Sequence, residues 1–308
     1  MGLKERHPMA LTCAALGNVI FGFSFMFSRI ALGHSTPFVM LAYRFDATFL
    51  LMGLLILCLR RRARPAGEGI DWLRFDLKGR GVLPLLGLGL VQPVGYFLCE
   101  SYGIRLTNAT FSGVVIALVP IAAIAGSAVT LKEFPKAAQL AFVLLSVAGV
   151  ILMTLAQREA GQVRPLGAAL LLGAVFTGAY FNVLSRKASA RYSVLERTFV
   201  MMGVAAAAFT LLAAAQARGD WASLFEPARH AEFLGAIGYL SVLSSIVAFM
   251  ALNYANNDLP VAKSSAFANL TTMISLFAGV VFLGEPVSGL SVLASAMIIL
   301  GIWGSQRA

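Results

Sequence analysis

"LKEF" at residues 131–134 and "LGEP" at residues 283–286 each place a glutamate at the end of a long apolar run, in a chain that otherwise avoids charge. Glu133 and Glu285 lie 152 positions apart in 308 residues. The same offset pairs Tyr102 with Tyr254, Leu118 with Leu270, Leu131 with Leu283 and Gly149 with Gly301. An offset of 156 pairs Gly17 with Gly173, Gly22 with Gly178 and Phe25 with Phe181. Spaced this way, the residues predict a chain built from two related halves.

Composition fixes the solvent. Hydrophobic residues make up 59% of the chain and charged residues 12%, against about 45–50% and about 25% in a soluble globular domain. The apolar residues are gathered into runs near 9–32, 36–59, 82–103, 107–131, 137–156, 165–187, 194–216, 232–254, 260–283 and 287–304. At 1.5 Å per residue such runs cross a hydrocarbon layer of about 30 Å. Without strand-like alternation they must be helices, because lipid offers the backbone no hydrogen-bond partner. We therefore expect an all-α membrane protein of ten transmembrane helices. The first run follows Lys4 and Arg6 but exceeds the apolar core of a signal peptide, so it reads as a membrane helix. Cys13, Cys58 and Cys99 fall inside runs, and their spacing suggests neither a disulfide framework nor a metal site. No cofactor is implied.

Each half holds five spans, and an odd number turns the second half upside down relative to the first. That is the inverted-repeat plan of secondary transporters, with residues 1–158 as the first repeat and 159–308 as the second. Charge orients the whole. With the N-terminus inside, inner segments collect seventeen of the 24 Lys and Arg, seven of them in the 60–81 loop, and outer segments collect five. Arg197 counts among the inner loop residues, whereas Arg29 and Arg44 lie within spans. This positive-inside bias predicts cytoplasmic termini. The basic loop "RRRARPAGEGIDWLRFDLKGR" (60–80) reads as a segment lying on anionic headgroups, not as a nucleic-acid patch. Pro135 and Pro286 follow the two glutamates closely, so each carboxylate is expected to cap the helix that comes next, the fifth or the tenth.

Several stretches together resemble the ten-helix EamA type of the drug/metabolite transporter superfamily. They are "GNVIFGFSFMFSR" (17–29) with its answer "GAVFTGAYFNVLSR" (173–186), "PFVMLAYRF" (37–45), "NATFSGVVIALVPIAAIAGSAVTLKE" (108–133) and "VAKSSAFANLTTMISLFAGVVFLGEP" (261–286). A glycine follows each glutamate by sixteen residues, at Gly149 and Gly301. Three positions depart from the family pattern: Phe21 and Thr177 stand where tryptophan is common, and Thr272 where a proline is expected. The resemblance implies a bacterial inner-membrane carrier that exports small organic solutes, such as amino acids, related amines or drugs, through a cavity between the halves. A non-transporting scaffold or a channel-like facilitator is the alternative. No HExxH, GxSxG or phosphate-cradling loop argues for an enzyme.

Polar and aromatic groups at depth mark a candidate binding site, because such groups in a bilayer usually have a partner or a task. They are Asn18, Phe21 and Phe25 in the first span, Gln92 and Tyr96 in the third, Thr177 and Tyr180 in the sixth, Ser244 and Ser245 in the eighth, and Asn269 and Thr272 in the ninth. Pro93 should kink the third span beside Gln92. Arg44, Asp46 and Glu100 are candidates for gating or coupling, with Arg44 and Glu100 expected to pair and Asp46 to point away. Arg29 is expected to snorkel to the outer interface. Partners are then a small-molecule substrate and the lipid bilayer, with no nucleic acid. Small residues such as Gly149 and Gly301 suit packing within a monomer or across a homodimer.

Overall fold

The computed structural model describes residues 3–61, 75–77, 81–119, 121–122, 137–159, 163–258, 267–285 and 288–307. Among them the regular structure is helical throughout. We number the main helices α1 (Leu3–His34), α2 (Pro37–Arg61), α3 (Leu83–Leu106), α4 (Ala109–Ile116), α5 (Ala137–Glu159), α6 (Pro165–Ser189), α7 (Val194–Ala217), α8 (three consecutive segments, Ala231–Gly238, Tyr239–Ala248 and Phe249–Asp258), α9 (Ala268–Leu283) and α10 (Gly289–Arg307). Among the described residues five stretches are long and apolar enough to cross a membrane: Pro8–His34, Pro37–Cys58, Leu83–Leu106, Val194–Ala217 and Ala231–Ala255. Shorter apolar helices cover Leu140–Met153, Pro165–Phe181, Leu270–Leu283 and Gly289–Gly301. Leu50, Leu54, Leu83, Phe176 and Leu211 stand exposed on the bundle surface. Water would penalise so much apolar surface, whereas lipid tails accept it.

Local sequence explains most helix ends. Pro165 opens α6 at a position where its missing N–H costs nothing. Ser193 and Glu196 form a reciprocal capping box at the start of α7. Gly284 ends α9 in the left-handed conformation (φ 63°) that only glycine adopts freely. Proline breaks α3 as anticipated: Gln92, just before Pro93, is extended (φ −146°, ψ 122°) inside an otherwise helical run. A second irregularity spans Tyr239–Ala248 of α8, which winds as a wide π-type helix.

Helices pack where small residues let backbones approach. A Cβ on Gly149 of α5 would lie 2.7 Å from Ile298 and 2.9 Å from the Ala294 carbonyl of α10. In return, a Cβ on Gly301 of α10 would strike Ser146 and reach within 2.5 Å of the Phe142 carbonyl of α5. Ala294, Ile298 and Gly301 stand 152 positions after Phe142, Ser146 and Gly149, so the contact reads the same from either side. The hydroxyl of Ser146 also donates to the Ile298 carbonyl across 152 residues, at 3.2 Å. These two glycines therefore pack against each other's helices within one chain. Close approaches also link α1 with α9 and α6 with α3: Gly22 abuts Ile274 and the Thr271 carbonyl, and Gly178 abuts Tyr96 and, beyond the end of α4, Val119.

One end of the bundle gathers the α1–α2 turn, the α3–α4 turn and the end of α9. Arg29 of α1 donates to the carbonyls of Ile104 (3.0 Å) and Arg105 (3.3 Å), capping the last turn of α3. Glu285 behaves unexpectedly. Its two oxygens accept the backbone N–H groups of Ala109 (2.8 Å) and Thr110 (2.9 Å), while Asn108 accepts that of Phe111 (2.7 Å). Among the described residues the carboxylate thus caps α4, in the other half of the chain, and not α10. Glu133 lies outside the described residues.

Candidate functional site

Arg44 lies two turns into α2 and is completely buried. Its Nε donates to the Ser245 hydroxyl (2.8 Å) and its Nη2 to the Ser244 hydroxyl (2.9 Å), both on the wide segment of α8. The seam continues along the backbone. Ser241 donates to the Arg44 carbonyl (3.0 Å), and Thr48 donates to the carbonyls of Arg44 (2.7 Å) and Ser241 (3.2 Å). The guanidinium carbon stands 4.2 Å from the ring centroid of Phe97 and 5.2 Å from that of Phe45, where a ring's negative face attracts a cation. Nη1 is buried without a hydrogen-bond partner among the described residues.

Glu100 shares this cluster. Its Oε1 accepts the Tyr96 hydroxyl at 3.0 Å. Arg44 and Glu100 lie close enough for their charges to act on each other, yet the guanidinium bonds serines and the carboxylate bonds a tyrosine. The direct ion pair anticipated between them is not formed. Ser244 and Ser245 of α8 lie within hydrogen-bond distance of Arg44 and take two of its donors, and the Tyr96 hydroxyl takes Glu100. Asp46 points elsewhere, as its two-residue spacing from Arg44 dictates. Both its oxygens accept the Thr210 hydroxyl of α7 (2.9 and 2.8 Å), so it stands apart from the cluster.

Around the charges lies an aromatic run drawn from both halves. Phe97 meets Tyr96 (5.0 Å) and Phe249 (6.1 Å), and Phe249 meets Phe21 edge-on (5.4 Å) and Phe181 (6.5 Å). Gln92 sits half-buried at the break in α3, one helical turn from Tyr96. Phe25 is buried near the close approach of Gly113 to Ser275.

The remaining candidates are engaged in helix contacts. Asn18 donates to the Ala14 carbonyl (2.8 Å) and accepts the Thr271 hydroxyl on its own side-chain oxygen (3.0 Å), which ties α1 to α9. Thr272 is buried with its hydroxyl 3.5 Å from the Gly113 carbonyl of α4. Thr177 donates to the carbonyls of Gly173 and Ala174 in its own helix, both at 3.0 Å. Tyr180 is 57% exposed. Asn269 belongs to α9, but its side chain lies outside the described residues, as does Ser265.

A second buried arginine escaped the reading of the sequence. Arg197 is not a loop residue: it sits in the first turn of α7 with no exposed surface. Its Nη1 donates to the carbonyl (2.8 Å) and hydroxyl (3.0 Å) of Ser185. Ser185 donates to Asn253 (3.0 Å), which in turn donates to Thr198 (3.3 Å). Arg197 stands 153 positions after Arg44, and Asn253 stands 153 after Glu100. The same shift carries Gln92, at the break of α3, to Ser245, in the wide segment of α8. A search for repeats at that offset would have picked out both arginines.

Comparison with known proteins now bears on this arrangement. The sequence pattern of the EamA-like transporter family matches residues 8–155 and 165–306. The chain belongs to that family. An EamA-like chain is an integral membrane transporter and not an enzyme, which agrees with its apolar helices. It is 30% identical to the uncharacterized transporter YcxC of Bacillus subtilis (strain 168) over 307 residues, covering 99% of this chain and 95% of that one. It is 27% identical over 223 residues to a probable terminal-alkyne amino-acid exporter of Streptantibioticus cattleyicolor, covering 71% of this chain and 72% of the other. A crystal structure sharing 19% identity superposes with a TM-score of 0.64 over 96% of this chain and 95% of its own, which shows a common fold.

Proposed function

We propose that this EamA-like protein is a secondary transporter working by alternating access, in which two five-helix repeats, residues 1–158 and 159–308, lie antiparallel in the bilayer. The reciprocal packing of α5 with α10 supports that plan, because two helices that present the same positions to each other are related by a two-fold axis. So does the match of one family pattern to residues 8–155 and 165–306.

One observation carries the transport reading: a fully buried arginine that bonds the irregular stretch of α8 and lies over the Phe97 ring of α3. A charge inside a bilayer is expensive, and it marks a solute path or a relay more often than a structural contact. Helices that lose regularity at mid-depth are the usual ligand sites of repeat-built transporters. The cargo is a small organic metabolite such as an amino acid or a related amine, exported across the bacterial inner membrane with both termini in the cytoplasm. The relative described as an amino-acid exporter supports that class.

Purified protein in proteoliposomes tests the proposal. A carrier shows saturable uptake and counterflow with internal unlabelled solute. A linear, non-saturating flux would point to a channel, and no flux with any of the twenty amino acids or simple amines would remove the cargo class.

A further inference from the structure

We infer that the Arg44–Glu100 cluster is a receptor for the zwitterionic backbone of an amino acid, with Arg44 Nη1 taking the carboxylate and Glu100 facing the ammonium. The inference rests on the carrier reading above and assigns its binding residues.

Three observations lead to it. First, Arg44 is fully buried but under-used: Nε and Nη2 have serine acceptors, and Nη1 has no partner among the described residues. A guanidinium in a dry site holds its neighbours best when all its donors are met, so the free one selects a ligand that brings its own acceptor. Second, Glu100 is buried with Tyr96 as its one hydrogen-bonding neighbour among the described residues, and it does not close on Arg44. Two opposite charges held near each other without pairing form a neutral cluster with a positive and a negative side. A zwitterion leaves that balance intact. A lone carboxylate or a lone amine adds an uncompensated charge to a buried site, which the low dielectric penalises. Third, the face of Phe97 adjoins Arg44, and Phe249 and Phe21 continue the aromatic run from it. They offer an apolar bed for the side chain of the ligand, and ring faces for its ammonium. The seam of Arg44 and Ser241 against α8 describes the cluster in its closed arrangement, so the ligand enters when α2 and α8 part.

Arg197 supplies the internal comparison. Asn253 stands 153 positions after Glu100 and Leu252 stands 152 after it, so at either offset the second half places no carboxylate at that position.

A matched set of three probes tests the assignment: L-phenylalanine, 3-phenylpropionate and 2-phenylethylamine, which share one ring and differ only in charged groups. The twenty amino acids run in parallel, so that side-chain preference does not mask the result. Binding to the full chain in detergent is read by thermal stabilisation and by direct titration. In the native protein the best amino acid should bind at least about tenfold more tightly than its deaminated or decarboxylated partner. Glu100→Gln should invert the order, favouring the deaminated carboxylate over the zwitterion. Arg44→Gln, where it folds, should favour the amine. An unchanged order in Glu100→Gln overturns the inference even if Arg44→Gln does not fold, as does a native protein stabilised by amines or by lipophilic cations but by no amino acid. Saturable counterflow of some other solute would then leave the carrier reading standing while this assignment falls.

Discussion

Replacing Glu285 by glutamine isolates the contact that joins the end of α9 to the start of α4. Both carboxylate oxygens accept backbone N–H groups, from Ala109 at 2.8 Å and Thr110 at 2.9 Å. Hydrogen bonds to a charged group contribute about 1.5–3 kcal/mol each, and the charge adds about 0.3–1 kcal/mol against the positive end of the α4 dipole. Glutamine keeps one acceptor oxygen, turns an NH2 toward the other N–H and removes the charge. Because Glu285 is only partly buried, we take the lower end of these ranges and expect a loss of about 2 kcal/mol. That lowers the melting midpoint in detergent by roughly 3 °C on the per-residue unfolding entropy of soluble chains. Glu285→Asp should fall between, since it keeps the charge but shortens the reach. Gly279→Ala attacks the same contact from the other side, because its Cβ would lie 2.5 Å from Glu285 Oε2 and would strike Thr110. The double variant should therefore cost less than the sum of its parts. Midpoints from fluorescence-detected size exclusion, with counterflow per folded molecule measured alongside, give the answer. An unshifted midpoint together with abolished transport would refute the capping role and make Glu285 a coupling residue.

Other perturbations follow from the same contacts. Gly301→Ala pushes a methyl group into Ser146 and toward the Phe142 carbonyl, so it should cost about 1–3 kcal/mol and reduce the yield of monodisperse protein. Arg197→Ala strands the partners of a fully buried guanidinium and should cost about 3–5 kcal/mol, whereas Arg197→Met, which refills the volume without a charge, should be much milder; the midpoints of the two variants decide. Single cysteines at Gly2 and Gly161, in a background lacking Cys13, Cys58 and Cys99, should react with a membrane-impermeant reagent from opposite sides. Labelling of both from one side would remove the antiparallel arrangement of the two repeats. Thr210→Val takes the hydroxyl from Asp46 without touching the Arg44 cluster, so it should leave the preference among the three probes unchanged in the binding titration.

Hydrophobic periodicity and punctuation are local properties, and the sequence alone settled what depends on them. It determined a helical membrane protein, the approximate extent of most helices and the break at Pro93. It also brought Arg44, Glu100, Ser244 and Ser245 under suspicion, because polar groups are conspicuous in apolar runs. Only the tertiary structure decided which of these groups meet. Arg44 bonds residues 200 and 201 positions away, and Glu285 caps a helix that begins 176 positions earlier. Tyr180 is largely exposed, while Arg197, which a charge count assigns to a loop, is buried. Such outcomes hang on the rotation of each helix about its axis and on the point where two helices cross. Both are set by the fit of small residues such as Gly22, Gly149 and Gly301 against distant side chains, and spacing along one helix holds no record of that fit.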